Sequence, residues 1–327
     1  MTRTIRPEVW RPEVWRIAVL SAAAVAVVLG LLWWVRPGLV VKLFTLGFVA
    51  QVIGTAVPYT LAALGGTVTE RAGVVDLALE SKLLFGAFAA AAISYATGSA
   101  SLGVVAGVGA GMLVAALQIA CALRLGADQV IVGVALNLLA LGGTRFLLQI
   151  LFGEGSNSPA CPSFGNALLG NPLIWIGVCA AIAVPIALRR TVWGLRTRAA
   201  GDRPDALIAV GVAPNQTRLL AALVGGGLAG AGGAQLSLPI EGFVADMSSG
   251  RGYIAIAMVI LAGWRPAWAA LACLGVATAE SINFELQISG AAIPRELAPL
   301  LPYVMTLIVL VIAGGSRRPP PRSLGRI

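Results

Sequence analysis

Apolar runs long enough to cross a lipid bilayer succeed one another along almost the whole of this chain, and one polar, basic stretch, Arg189 to Arg218, breaks their succession. A helix needs about 20 apolar residues to span the hydrocarbon core. Inside lipid every backbone polar group must be satisfied internally, which leaves helices or closed barrels. The runs have helical length, so an all-α polytopic membrane protein is expected. Composition agrees, because 58% hydrophobic and 11% charged residues cannot provide the water-facing surface of a soluble domain of 327 residues. The basic stretch must face water, and the short helix signal within it invites a soluble partner.

Length and charged or Pro/Gly boundaries place spans at 17–35, 43–66, 74–97, 99–123, 127–152, 171–188, 218–239, 248–263, 266–282 and 298–315. About ten transmembrane helices result. The transmembrane domain is expected over 17–316, with an N-terminal arm at 1–16, a polar loop at 189–217 and a basic tail at 317–327. A formal charge of +9 would suggest nucleic acid for a soluble protein, but here the arginines gather at the ends of apolar runs. With both termini cytoplasmic, the inner segments collect Arg71, Arg124, Arg189, Arg190, Arg196, Arg198, Arg203, Arg218, Arg265 and the terminal arginines. The long outer loop Gly153 to Gly170 carries Glu154 and no Lys or Arg. That asymmetry satisfies the positive-inside rule. Nucleic acid is therefore not an expected partner; membrane lipid is.

Arg6 to Trp10 repeats as Arg11 to Trp15, a tandem Arg-Pro-Glu-Val-Trp that reads as a solvated or interfacial arm. Trp33 and Trp34 end the first run as interface anchors, where a signal peptide would have a small-residue cleavage site. Cys121, Cys161, Cys179 and Cys273 are scattered, mostly within apolar segments, and read as small buried hydrophobes. The chain has no histidine, so the common metal sites lack their usual ligand.

Two segments interrupt the apolar pattern. In Gly73 to Gly86 the span carries Asp76, Glu80 and Lys82; in Gly242 to Ala255, Asp246, Ser248, Ser249 and Arg251 precede a run too short for a full crossing. Aligned without gaps, Gly73 meets Gly242, Val75 meets Val244 and Lys82 meets Arg251, and each segment follows a double glycine. The expected topology runs them in opposite directions, so two inverted repeats containing broken helices are predicted. Matching broken, polar helices mark a transporter's substrate path.

A carboxylate at membrane depth must be paired, hydrated or neutralised, so Asp76 and Glu80 should face protein or a water-filled cavity. If the segment is helical, their spacing puts them on one face. Equally open are a place for Glu80 and Lys82 near a membrane interface and a structural role in which Glu80 pairs with Arg145 or another buried cation. Asn137, Arg145, Glu280 and Asn283 are further polar groups in spans, either path residues or interhelical glue. Gly103, Gly107 and Gly111, and Gly226 with Gly230, are small-xxx-small steps that should be helix contacts.

In the basic loop, Asp202 is expected to cap a short helix, Pro204 to occupy its first turn and Gly211 to stop it. Ala206, Leu207 and Val210 give it an apolar stripe suited to a partner's groove. An alternative is a helix lying on the membrane surface.

Three stretches, Leu61 to Glu80, Ala127 to Phe146 and Gly194 to Asp202, resemble the permease family of bacterial ABC importers for branched-chain amino acids, ribose-type sugars and nucleosides, most of all its nucleoside and simple-sugar permeases. The similarity covers roughly residues 55–312. Its Glu-Arg-x-Gly-Val-Val-x-x-x-x-Glu pattern falls on Glu70, Arg71, Gly73, Val74, Val75 and Glu80, and its coupling-loop pattern on Gly194, Arg196, Arg198, Gly201 and Pro204. Asp76 stands where the family usually has Asn, and Ser81 where it has Gly. The resemblance implies a permease of the bacterial inner membrane that works with a cytoplasmic ABC ATPase. It also implies a second permease subunit, expected to be a different chain, and an extracellular solute-binding lipoprotein. No cofactor is expected on this chain, because Lys42 and Lys82 are each followed by Leu and no phosphate loop ending in Gly-Lys-Ser/Thr exists. ATP should be bound by the partner. Substrate-path candidates are then Asp76, Glu80, Asn137, Arg145, Ser248, Ser249 and Glu280; coupling candidates are Arg196, Arg198, Asp202, Pro204, Leu207 and Val210. The rivals are an ion-coupled secondary transporter using Asp76 or Glu80, and an integral membrane enzyme using them as acid and base.

Overall fold

The computed structural model describes residues 45–164, 170–288 and 319–325. The N-terminal arm, the expected spans 17–35 and 298–315 and the ends of the basic tail lie outside the described residues. Among those described are α1 (Leu46–Arg71), α2 (Leu79–Thr97), α3 (Ala100–Arg124), α4 (Gln129–Phe152), α5 (Pro172–Arg190), α6 (Val192–Asp202), α7 (Pro204–Ala209), α8 (Pro214–Ser237), α9 (Arg251–Leu261) and α10 (Pro266–Ile288). No strand occurs among the described residues, which hold one isolated bridge, Asn157 with Val244. Among the described residues seven helices are long and apolar enough to cross a bilayer: α1 to α5, α8 with its 3-10 extension, and α10. The short apolar α9 falls below that length. The chain is thus an all-α, multi-pass membrane protein.

Helix limits follow local chemistry. Asp128 caps α4 by accepting from Val130 N–H and Ile131 N–H, at 2.8 and 3.1 Å. Asn171 accepts from Leu173 N–H at 3.0 Å, and Pro172 starts α5 where a missing N–H costs nothing. The basic loop departs from expectation. It forms two helices, and Asp202 is the exposed last residue of α6, with Arg203 at the cap position of α7. Proline 204 explains this, since it forces the preceding residue out of the helical region, and Arg203 adopts φ −151°. Pro204 does open α7, and Gly211, at φ +75°, ends it.

Two compact units emerge: Val52–Thr278 with Pro319–Ile327, and Met1–Gln51 with Ala279–Arg318. Within the larger unit α2, α3 and α8 meet at backbone distance. A Cβ on Gly111 would stand 2.2 Å from Gly226 O, and one on Gly230 would stand 2.2 Å from Gly107 O. The small-xxx-small steps are therefore helix contacts. In lipid, where apolar tails compete equally well for side chains, such close packing is what holds helices together. A buried cluster of Tyr59, Leu79, Leu83, Ile254, Met258, Val259 and Trp264 joins α1, α2 and α9.

Residues 156–163 fold onto the segment before α9: Ser158 N–H donates to Phe243 O and Cys161 N–H to Glu241 O, both at 2.8 Å. Burial pushes the Cys161 thiol above its usual range. Cys273 is also buried, whereas Cys179 is exposed on α5, against the expectation for the cysteines as a group.

Candidate substrate path and coupling surface

The first interrupted segment is not helical until Leu79. Between Arg71 and Leu79 the chain makes a turn, three residues without regular structure and a second turn, so its peptide groups need partners from elsewhere. They find them on side chains of neighbouring helices. Val75 N–H donates to Gln129 Oε1 at 2.7 Å, and Gln118 Nε2 donates to Val75 O at 3.0 Å. Asn137 Nδ2 donates to Leu77 O at 2.8 Å and to Tyr253 Oη at 3.1 Å, while Asn137 Oδ1 accepts from Ser81 N–H at 3.0 Å. One amide side chain on α4 thus ties the unwound segment, the first turn of α2 and α9 together.

The second interrupted segment ends at the N-terminus of α9, and Glu80 reaches it from the first turn of α2. Its Oε1 accepts from Ser248 Oγ at 2.6 Å and from Gly250 N–H at 2.8 Å; its Oε2 accepts from Gly252 N–H at 2.6 Å. The first amides of any helix lack intrahelical partners and carry partial positive charge. Glu80 supplies the missing acceptor for α9 while sitting at the favourable end of α2. Gly252 is needed for the approach, because a Cβ there would lie 2.4 Å from Glu80 N. The two interruptions, far apart in sequence, therefore meet at one buried carboxylate.

Asp76 precedes α2, so it does not share a helical face with Glu80. It forms an ion pair with Lys82 Nζ, and both side chains are fully buried. Asp76 Oδ2 has no hydrogen-bond partner among the described residues. Ser81 donates its hydroxyl to Ala78 O at 2.7 Å and so fits locally. Below this junction Glu70 Oε2 accepts from Trp264 Nε1 at 2.5 Å, and Arg71 Nε donates to Trp264 O at 2.8 Å. These links fasten the end of α1 to the turn after α9.

Within the larger unit the structure gathers Asp76, Glu80, Asn137 and Ser248 and leaves Ser249 and Arg145 apart. Ser249 is exposed, with its hydroxyl donating to Asp246 O at 3.0 Å. Arg145 is exposed on α4 and takes no part in the Glu80 cluster, so the cation expected opposite Glu80 is replaced by a hydroxyl and two amides. Glu280 is half-buried on α10, in the smaller unit. Lys82, Gln118, Gln129, Tyr253 and Trp264 were not singled out as site partners by the sequence. A lysine six residues after a buried aspartate was the one readable signal. Among the described residues no cluster of His, Cys, Asp or Glu could hold a metal ion.

On the coupling side, Arg196 and Asp202 are exposed, Arg198 is half-buried and Pro204 begins α7. The expected stripe is split: Leu207 is 4% exposed and faces the protein, whereas Val210 at 72% and Ile208 at 63% face outward. An open groove of about 340 Å³ lies beside them, lined by Pro204, Asp205, Ile208, Ala213, Pro214, Asn215 and Arg218.

Comparison with known proteins decides the family. Residues 48–310 match the family described as the branched-chain amino acid transport system permease component. The chain belongs to this permease family. Its relatives include the guanosine ABC transporter permease NupQ of Bacillus subtilis, 30% identical over 280 residues, covering 78% of this chain and 88% of NupQ. The nucleoside ABC transporter permease NupC of Lactococcus lactis is 31% identical over 297 residues, covering 83% of this chain and 93% of NupC. The permease TsgC13 of Haloferax volcanii, provisionally named for glucose, is 35% identical over 243 residues, 68% of this chain and 72% of that protein. No solved structure matches the chain. As a permease component of an ABC transporter, the chain is a transport subunit and not an enzyme, and ATP hydrolysis falls to another subunit. That excludes the membrane-enzyme reading and the ion-coupled one.

Proposed function

We propose that this permease imports a nucleoside or simple sugar across the bacterial inner membrane by alternating access, with the junction at Glu80 as the wall that separates or opens the two sides. The observation carrying this reading is that both interrupted segments converge on one buried carboxylate. Broken helices meeting at depth are how transporters build a site between two moving halves. The gapless match of Gly73 with Gly242 supports two inverted repeats, and about ten spans complete them. The names of NupQ and NupC, and of the glucose-named relative, support the substrate class. Asn137, Tyr253 and Ser248 offer neutral hydrogen-bonding groups beside the junction, which suits an uncharged, hydroxyl-rich solute.

The partners are a cytoplasmic ABC ATPase, a second permease subunit and an extracellular solute-binding lipoprotein; no cofactor binds this chain. The ATPase docks on α6 and α7 through Arg196, Arg198, Ile208 and Val210 and the groove beside them. Both termini then lie in the cytoplasm. The test is uptake of labelled guanosine, ribose and glucose by the assembled transporter in proteoliposomes. ATP-dependent accumulation of one of them, lost on Val210→Asp or Ile208→Asp, is expected. Uphill uptake without ATPase subunits contradicts the reading.

A further inference from the structure

The C-terminal segment Pro319–Gly325 is not a loose tail. Its turn, closed by Leu324 N–H donating to Pro321 O at 3.1 Å, sits between the end of α6 and the turn that follows α1. Ser323 N–H donates to Gly201 O at 2.8 Å, and the Ser323 hydroxyl lies 2.6 Å from Gly201 O and 3.0 Å from Ala200 O. Those carbonyls belong to the last turn of α6, which has no partner of its own for them. On the other side Gly325 N–H donates to Gly73 O at 3.1 Å, and Leu324 packs on the cluster that contains Leu79 and Val259. Pro321 and Ser323 are buried. One short peptide therefore caps the partner-facing helix and holds the first residue of the unwound segment.

Two glycines make the seat. Gly73, at φ +93°, has room for a Cβ only 3.0 Å from Ser323 Oγ, and a Cβ on Gly201 would stand 2.2 Å from Arg71 O. Arg218 crosses the same seam, with Nε donating to Ala72 O at 3.4 Å and Nη2 to Ala200 O at 3.5 Å. The bonds of the C-terminal segment to the same two elements are shorter, 2.6 to 3.1 Å.

We propose that Pro319–Gly325 is a positioning strap that hands movement of α6 and α7 to the unwound segment bearing Asp76 and leading to Glu80, with Ser323 as its anchor. The inference rests on the reading that α6 and α7 receive the ATPase. A strap of this kind makes α6 and the Gly73 turn move as one body, so its loss lets the outer helices shift without moving the junction. The signature is a separation of ATP hydrolysis from transport, which a purely structural segment does not produce.

The experiment uses the complete transporter in proteoliposomes, reading solute uptake and ATP hydrolysis together. Deletion of 319–327 is expected to leave ATP hydrolysis in place and to lower uptake per ATP at least about fivefold, the factor one net buried hydrogen bond represents. Ser323→Ala, which keeps the chain intact, should lower the same ratio about two- to fivefold. An unchanged ratio in Ser323→Ala overturns the strap, including where the deletion variant fails to assemble. A parallel Val210→Asp sample separates the two claims. If it keeps full ATPase association and uptake, the docking reading fails. If it loses them while the Ser323→Ala ratio is unchanged, only the strap fails.

Discussion

Glu80 and Asp76 stand four residues apart, both buried and both acidic, yet the protein accommodates them by opposite means. Glu80 has no cation among its bonded partners; its charge is met by a hydroxyl and two amides at the start of α9. Asp76 is met by Lys82 and keeps one oxygen without a partner among the described residues. The first arrangement joins two distant pieces of chain, whereas the second is local and could be replaced whole. A charge held by a helix N-terminus is therefore structural information about the fold, while a buried ion pair is only a neutralised cost.

Variants can break that contrast. Glu80→Ala should be the most damaging, because it leaves three donors bare, two of them buried at about 1–3 kcal/mol each. Loss of assembled transporter in lipid nanodiscs, read by thermal unfolding, checks it. Lys82→Met leaves Asp76 unpaired and should cost about 3–5 kcal/mol in the same assay. Ser248→Ala removes one of three donors to Glu80 and should cost about 1.5–3 kcal/mol, with transport retained in part. The double replacement Asp76→Asn with Lys82→Met should be smallest, within about 1 kcal/mol of the parent or more stable, because removing a whole buried pair is often neutral. If the double variant is as unstable as Lys82→Met alone, the pair is not the local, replaceable element described here.

Much of this could be read from sequence because lipid enforces simple rules. Span lengths and arginine positions located the seven long helices, and the carboxylates at 76 and 80 advertised the interruption. The glycine steps at 107, 111, 226 and 230 foretold where backbones touch. What escaped were choices set by three-dimensional neighbours. Nothing local says that α2 begins only at Leu79, since the non-helical residues before it are stabilised by Gln118, Gln129 and Asn137 from other helices. Asp202 looked like a cap because its residue type suits one, but Pro204 moved the break to Arg203. Leu207 and Val210 looked equivalent on a helical wheel, and only packing against the rest of the protein turned Leu207 inward. Arg145 was a plausible counter-ion by type alone, and its helix presents it on the outer face.

The most direct test of the junction is a double-mutant cycle between Glu80→Ala and Ser248→Ala, read as thermal unfolding of the assembled transporter in nanodiscs. If Glu80 binds the second segment as described, the two changes are strongly non-additive, with an interaction energy of about 1 kcal/mol or more. Simple addition of the two single effects contradicts the claim that this carboxylate joins the two interrupted segments.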